Sequence, residues 1–183
     1  TLSLHDALPI CSFGKFIALL VLTGQRKGQI ARLHATFVDR DRKTITWPSE
    51  LMKGRREHTI PYGDAVAAIL AELPQAGLAF PSEDPTKPMS GFTKRKAEFD
   101  KLTGFASYTF HDLRRTMRSG LAALGVPPHV GERLLDHRSA AASDVEVIYD
   151  RYRYLDEMRK VMEMWDLHLS NLLATMSVKE RRP

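Results

Sequence analysis

The first clear pattern in the chain is an apolar block. Phe13, Phe16, Ile17, Ala18, Leu19, Leu20, Val21 and Leu22 run almost without polar interruption, which predicts a helix buried on all sides. Thr23-Gly24 ends it, because glycine accepts the left-handed conformation that closes helices. Ile30 and Leu33, three apart, predict a second, short helix over 27–33. Then come three short β-forming runs, Phe37-Val38-Asp39, Thr44-Ile45-Thr46-Trp47 and His58-Thr59-Ile60, separated by polar turns. Asp64 reads as the cap of a helix that turns Val66, Ile69, Leu70 and Leu73 inward.

Pro74, Pro81, Pro85 and Pro88 predict an irregular connector. Ser90 reads as the cap of a helix with Phe92 and Phe99 on its apolar face and Lys94, Arg95 and Lys96 outside. From Thr109 onward the pattern is almost wholly helical, with one loop at 138–143. The expected fold class is mainly α with a small antiparallel β-sheet (α+β). Residues 1–12 carry no clean periodicity and are set apart as an N-terminal segment, leaving 13–183 as one domain.

Composition narrows the function classes. A chain of 183 residues with 43% hydrophobic and 27% charged residues fits one globular domain with a full core. Its apolar runs fall far short of the roughly 20 residues that cross a bilayer. A single cysteine, Cys11, excludes internal disulfides and cysteine-based metal clusters. No Lys/Arg-led apolar stretch opens the sequence, so no secretory signal is read and a cytoplasmic location is expected. The net charge of +5 permits a polyanionic partner without requiring one.

The strongest local signal lies at 109–125. Thr109-Phe110-His111-Asp112 reads as a helix start with Thr109 as cap and Asp112 reaching back. Phe110, Leu113, Met117, Leu121 and Leu124 recur at helical steps, and Gly125, Pro127 and Pro128 mark the end. At about 100° per residue, His111 and Arg114 share one flank, with Arg114 nearest the core edge. An arginine placed there needs a counter-anion, from elsewhere in the chain or from a bound phosphate.

Thr109-Phe-His-Asp-Leu-Arg-Arg-Thr116 resembles the His-x-x-Arg box of the tyrosine recombinases, the phage-integrase family, and four further segments extend the resemblance. Leu22-Thr-Gly-Gln-Arg-Lys-Gly-Gln-Ile-Ala-Arg-Leu33 is similar to the box with the first catalytic arginine, here Arg26. Met52-Lys-Gly-Arg-Arg-Glu-His-Thr-Ile-Pro61 resembles the hairpin carrying the catalytic lysine, here Lys53. Leu134-Leu-Asp-His137 resembles the Leu-Gly-His box, and Val147-Ile-Tyr-Asp-Arg-Tyr-Arg-Tyr154 the nucleophile segment of prophage-type integrases, with Tyr149 in the nucleophile position. Two departures stand out. Gln29 occupies a position that is usually acidic in the family, and Asp136 replaces the usual glycine.

The resemblance implies a catalytic domain over 13–183, without the upstream DNA-binding domains typical of the family. It implies strand cleavage and rejoining on double-stranded DNA through a 3′-phosphotyrosyl link, needing no cofactor or metal, in a tetramer on DNA and a monomer when free. Arg26 and Arg114 would clamp the phosphate oxygens, and His137 would hydrogen-bond them. His111 would move protons, Lys53 would protonate the departing 5′ oxygen, and Tyr149 would attack. Taken one at a time, these residues have plainer readings. Lys53 sits in a basic turn with Arg55 and Arg56, His137 can cap a helix end, and Tyr149, Tyr152 and Tyr154 cluster as core tyrosines do. Lys94, Arg95 and Lys96 suit either the DNA backbone or a solvated face. Met158, Met162, Trp165, Leu169 and Leu172 suit a core or a docking face. The alternatives in function are a non-catalytic DNA-binding helical module, an oligomerisation domain, and a type IB topoisomerase-like activity.

Overall fold

The computed structural model describes residues 12–104, 108–137 and 154–180. Its hub is α1 (Ser12–Thr23), nine of whose twelve residues are buried, as an apolar block without a polar face requires. α2 (Lys27–Ala31), α3 (Asp64–Ala71), α4 (Phe92–Thr103), α5 (Phe110–Ala123), α6 (Pro128–Leu134) and α7 (Leu155–Glu180) complete the helical set. α2, α3, α4, α5 and α7 all pack on α1. Strands β1 (Val38–Asp39), β2 (Thr44–Trp47) and β3 (His58–Pro61) form an antiparallel sheet in the order β1-β2-β3. The mainly helical α+β class read from the pattern is the class found.

Sheet register sets which side chains face inward. Ile45 pairs with Ile60 and Trp47 with His58, so these four share the buried face. Around α1, Phe13 and Phe16 meet Phe99, Phe110, Phe80 and Phe92 at ring-centroid separations of 5.3–6.4 Å. Trp165 of α7 closes the other side, its indole N–H donating to the Val21 carbonyl at 3.1 Å. Gly120 of α5 allows this approach, since a Cβ there would overlap the Trp165 ring.

Several boundaries differ from the pattern reading. α2 stops at Ala31 rather than running to Leu33. Beyond it the Leu33 carbonyl accepts from Ala79 N–H, tying the chain to the proline-rich connector. Phe37 belongs to a 3-10 turn (Ala35–Phe37), which leaves β1 only two residues. Asp64 is not a cap but the first residue of α3, with Gly63 at the cap position. Asp64 instead pairs with Lys43 Nζ at 2.7 Å, while Asp166 of α7 accepts the Ala65 N–H in that first turn. The cap of α4 is Gly91 rather than Ser90, because the backbone there has φ +69°, which glycine adopts without cost. The Thr109–Asp112 capping box forms as expected, with Thr109 N–H donating to Asp112 Oδ2 at 2.8 Å.

The segments read as a loop at 138–143 and as the 147–152 tyrosine region lie outside the described residues, as do residues 1–11. Met158, Met162 and Trp165 of the α7 stripe are core, Leu169 is partly buried against it and Leu172 is exposed. No described helix is long and apolar enough to cross a membrane.

Candidate active site at the α6 terminus

α6 ends in a Schellman motif. The N–H of His137 donates to the Glu132 carbonyl at 2.7 Å and that of Asp136 to the Arg133 carbonyl at 3.1 Å. This closure puts Asp136 in the left-handed region at φ +48°, where a glycine is the usual occupant. It also turns the Leu135 and Asp136 carbonyls outward with no helical partner, at the negative end of the helix dipole.

Both guanidiniums bind there. Arg114, only 3% exposed, donates from one terminal nitrogen to the Leu135 carbonyl, from the other to the Gly24 carbonyl at 2.8 Å, and from Nε to His137 Nε2 at 3.2 Å. Arg26 donates to the Asp136 carbonyl at 2.9 Å and pairs with its carboxylate at 2.6 Å. The counter-anion required beside the core is therefore on the chain itself, and it sits on Arg26. Burial, with Arg26 close by, pulls the Arg114 pKa down to about 10, and Asp136 opposes that shift. Arg114 remains fully charged at neutral pH.

The bond from Arg114 also fixes the His137 tautomer. A guanidinium Nε can only donate, so His137 Nε2 accepts and the ring proton sits on Nδ1. Partial desolvation of the ring and the neighbouring guanidiniums Arg114, Arg26 and Arg118 hold the His137 pKa below its ordinary value. His137 is exposed, and a neutral ring with an Nδ1 proton can donate to an oxyanion.

Behind the arginines lies a buried polar floor. Gln29 Oε1 accepts the Arg26 backbone N–H at 3.0 Å, and its Nε2 donates to Gln25 Oε1 at 3.2 Å and to Met52 Sδ at 3.6 Å. The Trp47 indole N–H donates to the Gln29 carbonyl at 3.1 Å. Gln25 Nε2 donates to the Leu134 carbonyl at 2.9 Å. His58 Nε2 approaches Gln25 Oε1 at 3.2 Å, and its ring stacks on Trp47. Burial pushes the His58 pKa down to about 4, so this ring is neutral. Gln29, at the position where the resemblance leads one to expect an acid, orients Arg26 through its backbone and needs no charge to do so.

Of the six residues proposed for catalysis, Arg26, Arg114 and His137 are brought together. Lys53 lies exposed in the turn between the 3-10 turn Ser49–Leu51 and β3. Met52, beside it, is buried and anchors that turn under Gln29. His111 is exposed in the first turn of α5. Tyr149 lies outside the described residues. On α4, Lys94 and Arg95 are exposed, with Arg95 Nε donating to the Ser90 carbonyl at 3.0 Å. Lys96 is pinned between Asp100 and the Tyr108 ring. Gln25 and His58 were not singled out from sequence. The available signal was that His58 and Ile60 alternate onto one strand face, which puts a polar ring where an apolar residue belongs. No group of three or more His, Cys, Asp or Glu among the described residues is placed to hold a metal.

The class defined so far is a mainly helical domain with a small sheet, two guanidiniums and an imidazole converging on one helix terminus. Residues 8–153 match the model of the phage integrase family, so the chain belongs to that family, the tyrosine recombinases. It is similar to prophage integrase IntA of Escherichia coli, 31% identical over 151 residues, covering 79% of this chain and 36% of that protein. Prophage integrase IntZ of Escherichia coli is 27% identical over 163 residues, covering 86% of this chain and 40% of that protein. The chain thus spans well under half the length of these relatives. Its fold matches that of an integrase from mycobacterium phage Brujita with a TM-score of 0.68 at 21% identity, over 86% of this chain and 53% of that one.

Proposed function

We propose that this chain is the catalytic domain of a site-specific DNA recombinase that cleaves and rejoins double-stranded DNA through a 3′-phosphotyrosyl link on Tyr149. The observation that carries the reading is the convergence of Arg26 and Arg114, from segments 88 residues apart (114 − 26), on consecutive carbonyls at the α6 terminus, with His137 beside them. Two fixed guanidiniums match the oxygens of a phosphodiester and stabilise the charge that builds on them as phosphorus is attacked.

In the proposed step the Tyr149 oxygen attacks phosphorus, the bond to the 5′ oxygen breaks, and that oxygen takes a proton from Lys53. Tyr149 gives up its own proton, with His111 suited to receive it. His137 donates its Nδ1 proton in a hydrogen bond to a non-bridging oxygen. Rejoining reverses the step, with a 5′ hydroxyl as nucleophile, so the bond energy is conserved and no nucleotide cofactor enters. Lys94 and Arg95, exposed on α4, would contact the DNA backbone. Lys96 joins them only by leaving Asp100. The working assembly is a tetramer on DNA in the cytoplasm.

The test is a nicked suicide duplex incubated with the chain and resolved on a denaturing gel. A covalent adduct is expected with the parent chain, absent in Tyr149→Phe and insensitive to chelator. An adduct that survives Tyr149→Phe but is lost in Tyr152→Phe moves the nucleophile to Tyr152. A chain that binds the duplex without forming any adduct favours the non-catalytic DNA-binding module.

A further inference from the structure

Asp136 is an unusual neighbour for a phosphate-binding arginine. Its carboxylate takes one terminal nitrogen of Arg26 at 2.6 Å and its carbonyl takes the other at 2.9 Å. It does so from a left-handed backbone, φ +48°, that disfavours most side chains. The pair is not sealed: the Arg26 and Asp136 side chains are 37% and 27% exposed, so a solvent anion can reach it. The contact also spans the site, because the same turn that presents Asp136 to Arg26 presents Leu135 and His137 to Arg114. Without an anion nearby, two guanidiniums converging on one turn repel each other.

We propose that the Asp136 carboxylate is a built-in stand-in for the phosphate, holding Arg26 beside Arg114 in the free protein and giving way when a tetrahedral oxyanion enters. The inference rests on the reading of this pocket as a phosphate site, and it adds a positioning residue that also competes with substrate. A carboxylate oxygen and a phosphate oxygen accept a guanidinium N–H in the same charge-assisted way, so the Asp136 carboxylate and a bound anion compete for the same Arg26 terminal nitrogen. The carbonyl contact of Asp136 survives the exchange and keeps Arg26 in place, while the side chain swings out.

Asp136→Asn separates charge from shape, since asparagine keeps the size, the left-handed tolerance and the backbone carbonyl. The full chain is titrated with inorganic sulfate at constant ionic strength, followed by the arginine Nε–H resonances. Asp136→Asn is expected to bind sulfate about tenfold more tightly than the parent, the scale set by releasing one charged partner. Arg26→Ala in the Asp136→Asn background is expected to erase that gain. Asp136→Gly, which also relieves the backbone, provides a second variant and is expected to move affinity in the same direction. Equal or weaker sulfate binding in these variants overturns the proposal and leaves Asp136 as a plain brace. Sulfate titration involves no bond breaking, so its failure is distinguishable from failure of the adduct assay.

Discussion

The two ends of α1 are held in opposite ways. Its N-terminal half sits among phenylalanines, with Phe16 fully buried against Phe80, Phe92 and Phe110. Its C-terminal end runs into Thr23, Gly24 and Gln25, whose carbonyls and amides are bonded to Arg114, Leu134 and one another. The first end is held by non-directional contact that repacks when one ring changes. The second is held by directional bonds in which each polar group satisfies another, so losing one leaves its partner unpaired in a dry place. Stability should therefore reside mainly at the first end and function at the second.

The sharpest way to break that division is to damage each end separately. Phe16→Ala is expected to cost about 3–5 kcal/mol in urea unfolding, and the fraction that remains folded should bind sulfate as the parent does. Arg114→Lys retains the charge but cannot reproduce a fork that reaches Gly24, Leu135 and His137 together. It is expected to cost only about 1–3 kcal/mol of stability while slowing adduct formation by roughly a hundredfold or more. If the folded fraction of Phe16→Ala formed adduct as slowly as Arg114→Lys does, the two ends would not be separable.

The same contrast explains what could be read from the chain. The apolar end was legible because hydrophobic periodicity reports burial directly: α1, the inward face of α3 and the stripe of α5 all appear in the pattern. The capping box at Thr109 was legible because its chemistry is local. At the polar end, the convergence of Arg26 and Arg114 was expected only through resemblance to a family, because no local pattern announces a bond spanning many residues. The pairing of Asp136 with Arg26 was not legible, and of the Gln25–Gln29–His58 floor the only trace was the polar ring of His58 on an apolar strand face. They depend on where the α6 terminus lands against the sheet, which is a tertiary outcome. Gly91 displaced Ser90 as a cap for a related reason: a left-handed backbone at that junction outweighs the preference of serine for caps.

Two glycines with the same backbone habit sharpen the comparison next. Gly24 and Gly91 have φ +63° and +69°, but a Cβ at Gly24 would come within 2.6 Å of Leu135 Cδ2 and overlap Met117 as well, whereas one at Gly91 meets nothing. Gly91→Ala should cost about 1 kcal/mol from backbone strain alone. Gly24→Ala should cost about 2–4 kcal/mol, strain plus overpacking. It should also loosen sulfate binding several-fold, because the Gly24 carbonyl is an anchor of Arg114. Equal losses in the two variants would mean that the close approach at Gly24 relaxes freely.

The smallest expected effect is the net pH slope of the parent chain, and it sets the polar floor against a half-buried carboxylate of α7. His58 titrates at about 4 in the folded protein and at about 6.5 when unfolded. Between those values the unfolded chain binds more protons, so His58 contributes stability that is lost as pH falls from about 6.5 towards 4, about 3 kcal/mol in all. Asp166, half-buried against α3 with one buried carboxylate oxygen that has no hydrogen-bond partner among the described residues, is pushed up to about 6 from about 3.9 when unfolded. Here the folded state binds more protons, and stability is gained as pH falls through the same window. The two slopes oppose, so the parent chain should lose less stability between pH 6.5 and 4 than His58 alone would dictate. Asp166→Asn should steepen the acid loss and His58→Gln should flatten or reverse it, as read from urea midpoints across that range. Slopes unchanged in both variants would mean that neither group is as dry as the structure has it, and that the floor beneath Arg26 admits water.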